Sequence, residues 1–411
     1  MPGALPGAAT RRVLLGVAGG IAAYKSAELL RRLTESGHSV RVVPTESALN
    51  FVGAATFEAL SGQPVHTGVF SDVPSVQHVK LGQEADLVVV APATADLLSR
   101  AAAGRADDLL TGSLLVARCP VLFVPAMHTE MWEHPATRAN VEALRSRGSI
   151  VMEPASGRLT GRDTGPGRLP DPAEIAEFAR LLLERPDALP RDLAGRRVVV
   201  SAGGTREPLD PVRYLGNRSS GRQGYALAKV AAQRGAQVTL VAGHTAELTD
   251  PAAVEVVHVG SAVEMREAMH RAAKGADAVV MSAAVADFRP TAPVAHKIKK
   301  DGSEPEPVRL ALNPDILAEL VAAREPGQVV VGFAAETGDE TTDALEYGRR
   351  KLARKGCDLL LVNWVGEGGA FENPDNQGWL LGADGTETEI PQGSKALLAS
   401  RLWDVVGARL G

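Results

Sequence analysis

Residues 12–20 read RVLLGVAGG, and residues 197–204 read RVVVSAGG. Each stretch is a short run of β-favouring residues that enters a pair of glycines. A helical pattern follows, from Ile21 to Ser36 in the first case and from Tyr225, after a long loop, in the second. A strand, a glycine turn and a helix in that order start a βαβ unit. The repeated start predicts two α/β domains, each with three Rossmann-like layers.

A second pair of similar stretches supports this division. Residues 85–96 read ADLVVVAPATAD, and residues 276–287 read ADAVVMSAAVAD. A continuous apolar run that ends in small residues is typical of a strand buried on both faces of a parallel sheet, and its carboxyl end opens into a ligand crevice. Internal duplication and two similar strands in unrelated α/β domains explain the likeness equally well. Both explanations predict ligands at these strand ends.

Composition limits the class of protein. The chain has 411 residues, of which 45% are hydrophobic and 23% charged, so it is long and apolar enough for at least two domains with real cores. Its 49 acidic and 44 basic residues give a net charge of −5 without a large block of one sign, which argues against nucleic acid or a membrane surface as a partner. Two distant cysteines, Cys119 and Cys357, argue against a disulfide framework and a thiolate zinc site. Without an apolar signal core or a run that could span a bilayer, the sequence predicts a reducing, cytoplasmic location.

Helix-breaking prolines and polar stretches indicate the domain boundaries. A helical pattern over residues 172–183 is stopped by two prolines, Pro186 and Pro190. A polar stretch rich in Gly and Pro interrupts the second half near 301–307. The predicted parts are a disordered tail over 1–10, a first domain over 11–183, a linker over 184–192 and a second domain over 193–411.

The first domain contains several short motifs: GGIAAYK at 19–25, SVQHVKL at 75–81, APATA at 91–95, ADDLLT at 106–111 and PAMHTEMW at 125–132. Taken alone, the glycine pair fits either a phosphate site at a helix N-terminus or a simple tight turn. The set together resembles the flavin-dependent cysteine decarboxylases over about residues 11–183. This resemblance implies a flavodoxin-like fold that binds FMN and oxidatively decarboxylates a C-terminal cysteine residue or conjugate.

The resemblance also implies roles for individual residues. It places the catalytic base at His78, where an imidazole suits the task because it can accept a proton near neutral pH. Without the resemblance, a surface histidine with no such role is the simpler interpretation. It places substrate contacts at His128 and Met131. The FMN contacts that it implies are Gly19, Gly20, Thr45, Ala91, Pro92, Thr94, Asp108 and Met127.

Two positions depart from the family pattern. His128 stands where the family has an asparagine that holds the substrate carboxylate, and an imidazole can also donate a hydrogen bond to a carboxylate. The flap sequence SGRLTGRDTGPGR at 156–168 keeps a glycine-rich frame but lacks the cysteine that protonates the enethiolate product. The candidate donors are Thr160, Arg162, Asp163 or a water held by them. Asp163 or water is favoured, because a hydroxyl or guanidinium is a poor acid near neutral pH.

The second domain opens with a loop that is rich in hydrogen-bond donors, SAGGTREPLDPVRYLGNRSSGRQG at 201–224. Backbone amides at its end could hold a phosphate at a helix N-terminus, although a merely solvated loop has the same composition. Three of the ten lysines fall in KIKK at 297–300. Clustered ammonium groups suit a triphosphate or form a solvated charged run. Asp287, at the end of the apolar run, is placed to hold Mg²⁺.

Further motifs follow this loop: AAVADFRP at 283–290, NPDI at 313–316, VGFAAET at 331–337 and KLARKGCDLLLVN at 351–363. With the loop they resemble phosphopantothenate–cysteine ligase over about residues 193–405. That bacterial family uses CTP to convert the carboxylate of 4'-phosphopantothenate into an acyl-cytidylate, which cysteine captures. The resemblance implies catalytic roles for Asn217 and Lys297, a substrate contact at Arg206, and a magnesium ligand at Asp287. The nucleotide contacts that it implies are Ser219, Gly221, Met281, Ser282, Ala283, Asp287, Pro314, Asp315, Ile316, Leu317, Phe333, Lys351 and Lys355.

Both halves in this order resemble the bifunctional phosphopantothenoylcysteine decarboxylase/phosphopantothenate–cysteine ligase family of coenzyme A biosynthesis. The ligase would act first, and the flavin domain would convert 4'-phosphopantothenoylcysteine to 4'-phosphopantetheine and CO₂. The resemblance implies a homo-oligomer with trimeric flavin domains and dimeric ligase domains, up to a dodecamer. Two alternatives remain: a CTP-dependent ligase on an inert flavin domain, and a non-enzymatic flavoprotein regulatory subunit, against which the complete ligase half argues.

Overall fold

The computed structural model describes residues 10–66, 77–159, 163–299, 307–336, 344–364 and 375–411. The chain divides into two compact units between Leu189 and Pro190. No helix among the described residues is long and apolar enough to cross a membrane. Nearly all of the predicted tail over 1–10 and of the polar interruption near 301–307 lies outside these residues.

The first unit alternates strands and helices, as the sequence predicts. Its strands are β1 Arg12–Val17, β2 Ser39–Pro44, β3 Leu87–Ala93, β4 Val121–Pro125, β5 Ile150–Val151, β6 Ala155–Arg158 and β7 Thr164–Arg168. Its α-helices are α1 Lys25–Glu35, α2 Ala54–Ser61, α3 Gln77–Glu84, α4 Ala95–Ala102, α5 Leu109–Val116, α6 Thr129–Glu133, α7 Pro135–Ser146 and α8 Pro172–Glu184. Short 3₁₀ helices occupy Ile21–Tyr24 and Glu46–Asn50. The helix expected from Ile21 therefore begins with a 3₁₀ turn.

Five strands of the first unit form one parallel sheet in the order β2-β1-β3-β4-β5. Every residue of β3 is buried, which accords with its continuous apolar sequence. Because the chain order reverses between β1 and β3, their carboxyl ends border a crevice at the switch point of the sheet. Strands β6 and β7 form a separate antiparallel hairpin. The flavodoxin-like architecture that the sequence predicts is confirmed.

The second unit has the same alternation on a larger scale. Its strands are β8 Arg197–Ala202, β9 Arg206–Pro208, β10 Tyr214–Gly216, β11 Gln237–Ala242, β12 Val254–His258, β13 Ala278–Met281, β14 Phe288–Pro290, β15 Leu310–Leu312, β16 Val329–Glu336, β17 Leu359–Trp364, β18 Asp375–Gly382 and β19 Glu387–Ser394. Its helices are α9 Arg222–Gln233, α10 Ala262–Ala273, α11 Ile316–Ala322, α12 Ala344–Lys355 and α13 Lys395–Leu410. Helix α9 begins at Arg222, earlier than the position expected from the apolar pattern at Tyr225.

The main sheet of this unit has the order β12-β11-β8-β13-β16-β17-β18-β19. The pairs from β12 to β17 are parallel, and β18 and β19 add antiparallel strands at one edge. The order reverses between β8 and β13, so the second crevice lies at their carboxyl ends. The two similar apolar stretches, β3 and β13, therefore occupy equivalent places, each beside the first strand of its unit.

Candidate functional site

A cavity of about 370 Å³ lies at the carboxyl ends of β1 and β3 in the first unit. The backbone of Gly19 and Gly20 forms part of its wall. A Cβ atom on Gly19 would collide with Ser47, lying only 2.5 Å from the Ser47 Cβ, whereas a Cβ on Gly20 would lie 3.5 Å from Thr94 Cγ2. Gly19 is therefore required by the chain's own packing, and Gly20 is not.

Hydroxyl groups and a helix N-terminus line the same cavity. Thr45 Oγ1 lies 3.1 Å from Ser47 Oγ, and Thr94 Oγ1 accepts a hydrogen bond from Leu97 N–H at the start of α4. Hydroxyl donors beside a helix N-terminus suit a phosphate group. The apolar side of the cavity, including Met127, suits a flat aromatic ring. The residues present thus fit FMN. Sequence reasoning overlooked Ser47, which no motif marks.

Asp108, a predicted FMN contact, does not line this cavity. Its carboxylate accepts a hydrogen bond from Thr111 N–H at 2.7 Å and one from Arg100 Nη1 at 2.7 Å. Burial alone would raise the pKa of Asp108, but the hydrogen bonds from Arg100 and Thr111 outweigh it and hold that pKa below its usual value. Arg100, whose side chain is 15% exposed, does line the cavity. Asp108 therefore acts on the cavity through Arg100.

A neighbouring cavity of about 280 Å³ shares Gly20, Met127 and His128 with the first. The predicted FMN contact Pro92 lines this second cavity. The preceding residue, Ala91, is buried and does not line it, and the Ala91 carbonyl accepts a hydrogen bond from Ser26 Oγ. Two cations that sequence reasoning did not assign, Lys25 and Arg168, also line it. Burial lowers the pKa of Lys25, and the charge of Arg168 lowers it further. This cavity therefore suits an anionic substrate.

The predicted substrate residues lie around these cavities. His128 Nδ1 is 3.8 Å from Asp163 Oδ2, and Asp163 is 62% exposed at the tip of the β6–β7 hairpin. Met131 lines the larger cavity. The other proton-donor candidates, Thr160 and Arg162, lie outside the described residues.

The hairpin is fixed to the cavity by a close backbone approach. Met127 N–H donates to the Gly167 carbonyl at 2.9 Å, and a Cβ on Gly167 would collide with the Met127 carbonyl oxygen. The φ of Gly167 is +129°, which also favours glycine. The glycine-rich flap sequence therefore forms one wall of the site.

His78 lies on α3 and contacts helix α5 at Gly112. Its Nδ1 is buried and has no hydrogen-bond partner among the described residues. It lines neither cavity. Within one copy of the described chain, the predicted base is therefore separate from the predicted flavin site.

The second unit has a larger cavity, of about 680 Å³, beyond the carboxyl ends of β8, β13 and β16. It brings together every predicted nucleotide contact and the predicted catalytic residue Asn217. The predicted residues that line it are Asn217, Ser219, Gly221, Met281, Ser282, Ala283, Asp287, Pro314, Asp315, Ile316, Leu317, Phe333, Lys351 and Lys355.

The first turn of α9 packs closely on the end of β8. A Cβ on Gly224 would lie 2.5 Å from Ala202 Cβ and 2.8 Å from the Ser201 carbonyl oxygen. Gly221 caps the helix with a φ of +74°, a left-handed conformation that favours glycine. Asn217 Nδ2 donates to the Val285 carbonyl at 3.0 Å, which ties the loop to the chain after β13. This packing brings the N-terminus of a twelve-residue helix to the cavity, where its dipole favours an anion.

Charged side chains of both signs line the cavity. Lys355 forms an ion pair with Asp315, which also caps α11. Burial alone would raise the pKa of Asp315, but hydrogen bonds from Lys355 and the Ala318 N–H hold that pKa below its usual value. The described residues contain no group of three His, Cys, Asp or Glu side chains that could enclose a metal ion. Asp287 lines the cavity, and a single carboxylate is enough to hold Mg²⁺ when nucleotide phosphates supply further ligands.

Two predicted residues of this unit do not line the cavity. Arg206 stacks on the Tyr214 ring, with its guanidinium carbon 4.3 Å from the ring centre. Lys297 lies in an exposed segment. That segment is held where Ile298 N–H donates to Asp210 Oδ2 at 3.1 Å. Conversely, Asn376 and Lys395 line the cavity although no sequence motif identified them. Gln223 also lines it, and it lies in the loop sequence at 201–224 without an assigned role.

Comparison with known proteins covers both units. Residues 7–183 match the family model described as flavoprotein, and residues 193–409 match the model described as DNA/pantothenate metabolism flavoprotein C-terminal domain. A coenzyme A biosynthesis bifunctional protein CoaBC from Mycolicibacterium smegmatis is 66% identical, covering 98% of each chain. The protein of the same name from Mycobacterium tuberculosis is 65% identical over 96% of each chain. A third, from Vibrio parahaemolyticus, is 42% identical over 96% of this chain and 97% of the relative.

Proposed function

The chain belongs to the family of bifunctional coenzyme A biosynthesis proteins, with a phosphopantothenoylcysteine decarboxylase and a phosphopantothenate–cysteine ligase in one polypeptide, and from this premise we propose how each unit works. The ligase unit uses CTP to activate the carboxylate of 4'-phosphopantothenate, and the decarboxylase unit uses FMN. The observation that carries the proposal is the cavity of about 680 Å³, which gathers every predicted nucleotide contact at one switch point.

In the ligase unit, activation precedes amide formation because a carboxylate is a poor electrophile. A carboxylate oxygen attacks the α-phosphorus of CTP, pyrophosphate leaves, and an acyl-cytidylate forms. The amine of cysteine then attacks the acyl carbon and CMP leaves. The N-terminus of α9 holds phosphate oxygens near Ser219 and Gly221, and Asn217 contacts the acyl intermediate. Asp287 would hold Mg²⁺, which neutralises charge on the phosphates.

Lys297 reaches a cavity only in an assembly of ligase units. Its exposed segment is outside its own cavity, and exposed apolar side chains, Leu215, Phe288 and Leu312, lie on the short strands β10, β14 and β15. Exposed apolar patches of this kind mark interfaces. We therefore propose a dimer in which Lys297 of one copy stabilises negative charge at the cavity of the other.

In the decarboxylase unit, FMN supplies, when bound, the two-electron oxidation of the substrate cysteine and the return of those electrons to the decarboxylated product. The Gly19–Gly20 backbone, Ser47 and Thr94 would hold its phosphate. His128 holds the substrate carboxylate, and Asp163 or a water beside it donates the final proton. The 3.8 Å separation of His128 and Asp163 supports this pairing of roles.

His78 is the base of this reaction and acts between copies of the chain. Two observations support this assignment: its Nδ1 is buried without a hydrogen-bond partner among the described residues, and it lines neither cavity of its own copy. Exposed Ile21 and Tyr24 at the cavities supply apolar surface for a neighbouring copy. The trimer expected for this unit would bring the imidazole of one copy to the cavity of the next.

Two measurements test the proposal. The purified protein should be yellow and release FMN on denaturation, and a colourless protein that ignores added FMN refutes the flavin assignment. With 4'-phosphopantothenate and cysteine, the protein should release CMP and pyrophosphate from CTP faster than it releases AMP from ATP. Equal rates with ATP would refute the preference for CTP.

Mixed oligomers test the sharing of sites between copies. His78→Asn copies should lack decarboxylation, and Gly20→Ala copies should lose most of it at an FMN concentration that leaves their weakened site largely empty. Mixing them should restore part of the activity, because a His78 from one copy meets an intact cavity in another. Absence of any restoration in verified mixed oligomers would place base and flavin in the same copy.

A further inference from the structure

Asp287, the proposed magnesium ligand, lies between β13 and β14 and lines the large cavity of the second unit. Asp287 is exposed, so packing does not fix its carboxylate. The position of the carboxylate therefore depends on how the backbone around Asp287 is held. Two residues from distant parts of the sequence, Thr205 and Asn313, hold that backbone.

The hydrogen bonding between β8 and β13 continues beyond the ends of both strands. Ala284 N–H donates to the Gly203 carbonyl at 2.8 Å, and Thr205 N–H donates to the Ala284 carbonyl at 3.3 Å. In a regular parallel ladder, the next bond would run from Ala286 N–H to the Thr205 carbonyl. The Thr205 hydroxyl takes that place, because its Oγ1 accepts a hydrogen bond from Ala286 N–H at 3.0 Å. The Thr205 side chain thus extends the pairing toward Asp287.

Asn313 holds the other side of Ala286. Asn313 Nδ2 donates to the Ala286 carbonyl at 2.8 Å, and Asn313 N–H donates to the Asp287 carbonyl at 2.8 Å. Arg289 Nη1 donates to Asn313 Oδ1 at 3.0 Å, which fixes the orientation of the amide. Asn313 directly follows β15, and β15 pairs with β14, which directly follows Asp287. Ala286 is therefore held at both its N–H and its carbonyl, and Asp287 at its carbonyl.

These bonds lie largely out of contact with water. Thr205 is 1% exposed and Ala286 is 3% exposed. A buried backbone group without a partner is unfavourable, so the chain would move rather than leave Ala286 N–H unpaired. A group that acts on a ligand must be held within about 0.5 Å of its productive position. Loss of either bond would therefore displace the Asp287 carboxylate.

We propose that Thr205 and Asn313 are positioning residues, which fix the Asp287 carboxylate where it holds a divalent cation against the nucleotide phosphates. This inference rests on the proposed roles of CTP and Asp287. Thr205 does not line the cavity, so it acts only through the backbone of Ala286. Asn313 lines the cavity, but its side-chain amide already bonds Ala286 and Arg289.

Hydrogen exchange in the full chain tests whether Thr205 holds the backbone. Thr205→Val keeps the shape of the side chain and removes the acceptor, whereas Thr205→Ser keeps a hydroxyl. Exchange in peptides that cover residues 283–289, measured by mass spectrometry, should be about tenfold faster in Thr205→Val and close to the parent rate in Thr205→Ser. The matched control is Thr239→Val, at a threonine on β11 that lies outside the cavity. It should leave exchange over 283–289 unchanged. Unchanged exchange in Thr205→Val would reject the proposal.

Equilibrium binding of Mn²⁺ tests whether the held backbone positions Asp287. Free Mn²⁺ is measured by electron paramagnetic resonance in mixtures of the full chain, CTP and Mn²⁺. Thr205→Val and Asn313→Leu should each weaken Mn²⁺ binding to the CTP complex about threefold or more, and Thr205→Ser less than about twofold. In an Asp287→Asn background, Thr205→Val should weaken it less than about twofold further, because the carboxylate that it positions is gone.

The possible failures are distinguishable. Faster exchange with normal Mn²⁺ binding in Thr205→Val would show that Thr205 stabilises the backbone without positioning Asp287. An equal loss of Mn²⁺ binding with and without the Asp287 carboxylate would make Thr205 a merely structural residue. Either result overturns the inference and leaves the proposed role of Asp287 intact. Parent-like Mn²⁺ binding by Asp287→Asn itself would instead refute the proposed metal ligand, and the inference with it.

Discussion

Gly20→Ala separates a contact with the flavin from a contact within the chain. The Gly20 φ of −172° is extended backbone that any residue adopts, and the nearest atom to a new methyl group would be Thr94 Cγ2 at an ordinary 3.5 Å. The folded chain should therefore accept alanine without loss of stability. Gly20 borders both cavities of the first unit, so the methyl group would occupy space that a ligand needs. Inserting a methyl group into a filled contact costs about 1–3 kcal/mol, which weakens FMN binding about 5- to 150-fold.

The assay combines FMN titration of the apoprotein, followed by quenching of flavin fluorescence, with thermal unfolding in the absence of FMN. Two matched glycine variants calibrate it. Gly19→Ala should lower both stability and FMN affinity, because its methyl group would collide with Ser47. Gly53→Ala should change neither, because nothing lies within 4 Å of its new methyl group. Normal FMN affinity in a stable Gly20→Ala protein would show that the flavin does not pass over this backbone, and a less stable apoprotein would refute the packing argument.

Four further predictions concern the reactions and the segment that carries Lys297. His78→Asn should keep FMN and still make phosphopantothenoylcysteine but release no CO₂, and release at the parent rate would exclude it as the base. Lys297→Ala should slow pyrophosphate release about 100-fold or more, as expected for a lost charge that stabilises a transition state, whereas near-normal release would make it a solvated lysine. Asn217→Asp should trap acyl-cytidylate, because added negative charge beside the acyl phosphate repels it, and quenched reactions analysed by mass spectrometry would reveal the trapped species. The Arg213 guanidinium and three backbone amides hold the pKa of buried Asp210 below its usual value. The ionised Asp210 therefore stabilises the folded chain fully above about pH 4, and this contribution is lost as the pH falls further. Asp210→Asn should reduce the fall of the unfolding temperature below about pH 4, and an unchanged fall would count against the ion pair.

Many of the residues that line the nucleotide cavity could be predicted from local sequence motifs. Met281 and Phe333 lie in separate motifs, yet they lie on β13 and β16, which are neighbouring strands of one sheet beside its switch point. A parallel sheet brings the carboxyl ends of its strands to one edge, so motifs at strand ends meet there whatever their separation in sequence. This is why the predicted nucleotide residues on and after these strands come together in one cavity.

Other residues depend on packing that no local pattern records. Asp108 stands in a motif, but it accepts a hydrogen bond from Arg100, and of these two residues Arg100 is the one that lines the flavin cavity. Lys395 is 172 positions from Gln223, and only the packing of α13 against α9 brings its backbone to that side chain. Their places depend on the orientation of whole helices, which distant contacts determine.

By itself, the sequence determined two three-layer α/β units, the strand ends that form their crevices and the family to which the chain belongs. Continuous apolar runs that end in glycine turns leave few alternatives to a parallel sheet, because such runs must be buried on both faces. Only the tertiary structure decided which side chains enter each cavity: Lys25, Ser47 and Lys395 join them, whereas His78 and Lys297 lie apart. The physical reason is that a strand pattern depends on neighbouring residues, whereas the content of a cavity depends on how helices and loops from distant parts of the chain pack against each other.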